Sequence, residues 1–152
     1  MAIPPRSTAI HGITNPMVAD APAFPEVYAE LAELQAGTVV VGHQIAFDLA
    51  MLRAECTRHG CAWSEPPTLD TLLLATTLMP ELNTASLDAV AAELGVSVHG
   101  RHTALGDSLV TAEVFASLLP RLADRGVTTL GQATAFCRRA KGLIRAQAKA
   151  GW

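Results

Sequence analysis

Apolar residues recur at helical spacing over most of this chain, and two short stretches break that rhythm. Val27, Leu31 and Leu34 share one face of a segment that opens with Pro25 and Glu26 and stops at Gly37, which predicts a helix. Thr38-Val39-Val40-Val41-Gly42-His43 follows, apolar and β-branched on consecutive positions, as in a strand buried on both faces. Helical spacing returns from about Ala46 to His59, where Phe47, Met51 and Leu52 recur at that spacing, Phe47 being expected in the core, and Gly60 ends the helix. Thr68-Leu69-Asp70 is a second candidate strand, leading into a helix over Thr71 to Leu78 closed by Pro80. Another helix runs from Leu87 to Leu94, capped by Ser86 or Thr84 and ended by Gly95. After a loop over 96–101, Val110, Val114, Phe115 and Leu118 form a core-facing stripe that continues toward Pro120 or slightly beyond. Residues 1–24 hold Pro4, Pro5, Pro16 and Pro22 with few periodic apolar positions and are read as extended chain and loop.

The last segment differs in charge. Arg138, Arg139, Lys141, Arg145 and Lys149 occur with no acid after Asp124, while Leu130, Ala133, Cys137, Ala140 and Ile144 keep a helical stripe. Residues 126–152 are therefore expected to form a basic amphipathic helix, packed on or extending a domain over 1–125. Its cations suit a solvated face first and a phosphate contact second.

With 152 residues, half of them hydrophobic, the chain is expected to build one core, in a helix-rich α/β arrangement rather than a disordered one. A net charge of −3 does not by itself point to nucleic acid, though an enzyme that reaches phosphates through metal ions needs no basic surface. Cys56, Cys61 and Cys137 form no disulfide framework, and Cys56, His59 and Cys61 lack the fourth ligand and the spacing of a zinc site. The first residues carry no apolar signal-peptide core, and no apolar run approaches the roughly 18 residues of a membrane span. A soluble cytoplasmic protein with no membrane partner is the expectation.

Two aspartates stand in equivalent settings. Asp48 and Asp107 each fall on the first turn of a predicted helix, next to loops bearing His43 and His102. Singly, each complements a helix dipole. Together they could face one cation, with His102 as a base for metal-assisted hydrolysis.

Val41-Gly42-His43-Gln44-Ile45-Ala46-Phe47-Asp48 resembles the second motif of the DEDDh 3′-5′ exonucleases, the proofreading-exonuclease family, in which it commonly reads Gly-His-Asn-x-x-Phe-Asp. His102-Thr103-Ala104-Leu105-Gly106-Asp107 is similar to the third motif, His-x-Ala-x-x-Asp, in the right order. The segments from Pro67 to Ala75 and from Ser86 to Gly95 look like those between the motifs, and Ile10-His11-Gly12-Ile13-Thr14 resembles the stretch before the second motif. The resemblance implies a ribonuclease H-like exonuclease fold. It also implies that Asp48 and Asp107 help hold two Mg²⁺ or Mn²⁺ ions, that His102 activates water, and that His11 and Ile13 lie near the terminal nucleotide. The partner would be the 3′ end of single-stranded DNA or RNA, in proofreading, repair or RNA turnover.

The sequence departs from that pattern in two places. Gln44 replaces the usual asparagine, and no Asp-x-Glu occurs anywhere, so two of the family's four metal-binding carboxylates are not in this chain. The expectation is a fold that is helix-rich because its first three strands lie outside these residues, and weak or inactive as an isolated chain. The alternative is a non-catalytic, degenerate module that binds nucleic acid or a protein. In either case self-association or a partner chain would cover the exposed strand.

Overall fold

The computed structural model describes residues 2–82, 84–100 and 102–150. In chain order its elements are α1 (Pro5–His11), α2 (Asn15–Val18), α3 (Phe24–Gln35), β1 (Val40–Gly42), α4 (Ile45–His59), β2 (Thr68–Asp70) and α5 (Thr71–Leu78), then α6 (Leu87–Leu94), α7 (Ala104–Asp124) and α8 (Leu130–Ala150).

β1 and β2 pair in parallel with Val40 opposite Thr68, Val41 opposite Leu69 and Gly42 opposite Asp70. Parallel neighbours need a crossover, and α4 supplies it. Val40 donates its backbone N–H to Pro67 O at 2.9 Å. Alternation along a parallel ladder therefore turns the backbone groups of Val41 toward the opposite, free edge of β1.

The main core lies between β2, α5, α6, α7 and α8. Leu74, Ala75, Val90, Val114 and Leu118 are fully enclosed there, joined by Met79, Leu122, Phe136 and Cys137. α8 enters this core through Ala133, Cys137 and Ala140, three residues of its apolar stripe. Tyr28 of α3 is buried against Cys56 of α4, and the rings of Phe24 and Trp63 each stack with Tyr28. Burial raises the Tyr28 phenol pKa above its ordinary value.

Three expectations are corrected. Residues 1–24 are not simply loop: Pro5 and Pro16 stand at the starts of α1 and α2, where a missing N–H costs nothing, and left-handed Gly12 closes α1. Val27 and Leu34 share a face with Leu31 yet are 47% and 75% exposed, because α3 docks through Tyr28 instead. Phe47, expected in the core, is 68% exposed, and Met51 at the same spacing is 51% exposed, because α4 buries the side that carries Leu49 and Cys56. α7 passes through Pro120 and ends at Asp124, held over its last turn by buried Leu122.

Candidate active-site groove

β2 passes directly into a helix and β1 does so through His43 and Gln44, and one buried side chain joins the two corners. Asp70, at the end of β2, caps α5 by accepting the Leu72 N–H at 3.0 Å. The same oxygen accepts the backbone N–H of Gln44, also at 3.0 Å. Gln44 sits between β1 and α4 in a left-handed conformation with φ of 60°, which aims that N–H across the sheet. A second link lies beside it: His43 Nδ1 is 2.9 Å from the hydroxyl of fully buried Thr71, which also reaches Gly42 O at 3.3 Å. Gly42 is required here because a Cβ would come within 2.9 Å of the Ile45 side-chain Cβ and closer still to its end.

The start of α7 is shaped by a different contact. Thr103 caps the helix, accepting the Gly106 N–H at 3.1 Å, and its hydroxyl donates to Gly100 O at 2.6 Å. The Gly100 carbonyl consequently lies so close to Gly106 that a Cβ at position 106 would collide with it. Folded over the helix in this way, the loop puts His102 at φ of 65° and directs its backbone N–H to Asp107 Oδ1 at 3.2 Å.

These two helix starts face one open groove of about 870 Å³ that runs along the free edge of β1. Asp48 from α4 and Asp107 from α7 both line it, as do His43, Gln44, Ser86 and Ser108. Its floor and far wall are apolar, from Leu31, Val40, Val41, Leu52 and Phe115. His102 is exposed and stays outside that lining, tied to it through its hydrogen bond with Asp107. His11 and Ile13 do not line the groove either. They interact with each other on the N-terminal segment, His11 Nδ1 accepting the Ile13 N–H at 3.0 Å.

Asp70 and Thr71, which position the groove, were not among the candidates drawn from the sequence. The available signal was an aspartate followed at once by a helix, the pattern of an N-cap.

Two carboxylates in one groove supply hard oxygen donors of the kind Mg²⁺ and Mn²⁺ accept. Among the described residues, no three His, Cys, Asp or Glu side chains gather closely enough to hold a metal ion. The donor chemistry therefore fits such a cation, while two carboxylates are fewer than a two-ion site uses.

Residues 1–115 match the sequence model of the RNase T exonuclease family, three quarters of the chain, and the chain belongs to that family. It is 43% identical over 145 residues to a DNA polymerase III subunit epsilon-like protein of Rhodobacter capsulatus, which covers 94% of this chain and 20% of that protein. It is 34% identical over 120 residues to DNA polymerase III subunit epsilon of Aquifex aeolicus, across 79% of this chain and 59% of that one. The chain thus spans only part of the length of these relatives. Among solved structures it resembles Exonuclease X in complex with 5′ overhanging duplex DNA, with a TM-score of 0.64 at 24% identity, over 90% of this chain and 75% of that chain. The fold is accordingly a helix-rich, ribonuclease H-like exonuclease fold with a reduced, open two-stranded sheet, and the first-motif carboxylates are not in this chain.

Proposed function

We propose that this chain is the part of a metal-dependent 3′-5′ exonuclease domain that carries the second and third motifs. The observation that supports it most is the convergence of Asp48 and Asp107 on one groove, with His102 fastened to Asp107. Asp48 and Asp107 would hold divalent Mg²⁺ or Mn²⁺ on this side of the groove. When bound, the ions supply Lewis acidity at the scissile phosphate.

The remaining roles belong to protein groups. His102 takes a proton from the attacking water, whose oxygen bonds to phosphorus at the terminal phosphodiester of DNA or RNA. The bond from phosphorus to the 3′ oxygen of the preceding nucleotide breaks, releasing a nucleoside 5′-monophosphate, and that oxygen takes a proton from solvent to become the new 3′ hydroxyl. Phe47, exposed and next to Asp48 in sequence though outside the groove lining, would offer a face on which a base stacks. His11 and Ile13 belong to the terminal-nucleotide subsite only if substrate draws the N-terminal segment over the groove.

The free edge of β1 is where we place a strand bearing the other two carboxylates, from a longer chain or a second molecule. Without it, the groove has half its ligands and the chain acts weakly or not at all. Residues 1–125 form the exonuclease portion in this reading, with α8 added to it. Among the described residues no helix is long and apolar enough to cross a membrane. A cytoplasmic role in proofreading or repair agrees with three free cysteines.

The test is degradation of a 3′-labelled single strand with Mg²⁺ or Mn²⁺. It compares this chain, a version extended at the N-terminus by an Asp-x-Glu strand, and the extended version with Asp107→Ala. Little activity is expected from the first, clear activity from the second and its loss from the third. Equal activity with and without the extension would overturn the account of the metal site. Oligonucleotide binding with no activity in any version would favour the non-catalytic module.

A further inference from the structure

α4 is a ridge with a groove on each side. Ile45 lines both, Asp48 and Leu52 face the carboxylate groove, and Ala46, Leu49 and Arg53 face the other. The second groove, about 390 Å³, is closed on its far side by α8, which presents Thr134, Arg138 and Lys141 along one face. We propose that this second groove binds backbone phosphates of the same nucleic-acid strand whose 3′ end enters the carboxylate groove. The inference rests on the exonuclease reading and extends it to a contact beyond the reacting end.

The charge distribution and the anchoring of α8 carry the argument. Five of the chain's 11 cations, and none of its 14 acids, fall within α8, although the chain as a whole is acidic. Buried Ala133, Cys137 and Ala140 hold the helix against the core, and the Cys137 thiol reaches Asp70 O at 3.9 Å. That docking turns Arg138 and Lys141 toward α4 rather than leaving them on a free tail. The groove's own acids are already engaged: Asp70 accepts two backbone N–H groups, and Glu65 accepts from Trp63 Nε1 and pairs with Arg53. The Trp63 hydrogen bond, then Arg53, holds the Glu65 carboxyl below its ordinary pKa, so it stays ionised and keeps Arg53 occupied. Arg138 and Lys141 form no ion pair among the described residues and are exposed, which leaves them to an external anion. α8 lies beyond residues 1–115, the part that matches the exonuclease family model.

The experiment measures binding of the 152-residue chain, in EDTA, to a fluorescent single-stranded oligonucleotide of about 15 nucleotides, a length within the range one groove tracks. A trinucleotide serves as the short comparison. Arg138→Gln with Lys141→Gln is expected to weaken the long strand roughly tenfold at low salt and to reduce the salt-dependence slope by about 1.4, while trinucleotide binding is unchanged. Arg138→Lys with Lys141→Arg should restore both. Melting curves check that each variant is folded. Parental affinity and slope in the Gln variant would overturn the second contact and leave the exonuclease reading standing. Parental oligonucleotide binding alongside lost binding to phosphatidylglycerol vesicles would overturn it in favour of a membrane surface. If the parent binds neither oligonucleotide, both readings fail.

Discussion

Asp70 Oδ1 receives the backbone N–H of Gln44 and that of Leu72, each at 3.0 Å, so one buried carboxylate ties the two strand-to-helix corners of the sheet together. Its neighbour Thr71 adds the link to His43, and the direction in which α4 and Asp48 leave β1 follows from the pair.

Asp70→Ala removes a helix cap and strands two backbone donors in a mostly buried place. A loss of about 2–3 kcal/mol is expected in urea unfolding. Asp70→Asn retains an acceptor oxygen and should lose less. Equal losses for the two would show that the shared acceptor is not what matters.

Gln44→Asn should stabilise the chain by up to about 1 kcal/mol, since asparagine adopts the left-handed conformation of this corner more readily than glutamine. This supplies a physical reason for the asparagine common in the motif. The check is the denaturation midpoint; a fall would mean that the longer amide makes a contact worth more than the backbone strain.

Gly106→Ala should cost about 1–3 kcal/mol, because the new methyl group can be accommodated only by moving the Gly100 carbonyl. The same movement displaces His102. Thermal melting reads the first effect, and a shift of the His102 imidazole resonances reads the second; unchanged resonances would separate the loop from the glycine.

Phe47→Ala should leave the melting temperature almost unchanged and weaken single-strand binding by about 1–3 kcal/mol, as expected for an exposed base-stacking aromatic. A large drop in stability with unaltered binding would return Phe47 to a structural role.

The cysteines should separate by reactivity. Burial raises the Cys137 thiol pKa, so it remains protonated at neutral pH and any thiolate appears only in more alkaline solution than for an ordinary cysteine. Cys56 is 1% exposed, whereas Cys61 is half-buried. Alkylation near neutral pH should mark Cys61 first, and mass spectrometry of the peptides decides it.

Local chemistry made much of the architecture legible from the sequence. β2, α5 and α6 begin and end where a cap, a glycine, a proline or a change of period marks them, and Asp48 and Asp107 fall on first turns as expected. Such boundaries depend on a few adjacent residues, so they can be read without knowing what packs where. The motif order likewise carried the family, since each motif is a short run of neighbours. The proline-rich start is less legible because proline both breaks and begins helices, and its position relative to Gly12 separates the two.

Tertiary structure decided the rest. Helical spacing in α4 is satisfied equally by Phe47 and Met51 or by Leu49 and Cys56, and which pair is buried is set by the elements that α4 packs against. It was tertiary structure, too, that set Asp48 and Asp107 on one groove, gave Asp70 two corners to hold, and turned Arg138 and Lys141 toward α4. Each of these depends on groups far apart in the chain meeting at a particular distance and angle, which periodicity along a single segment does not encode.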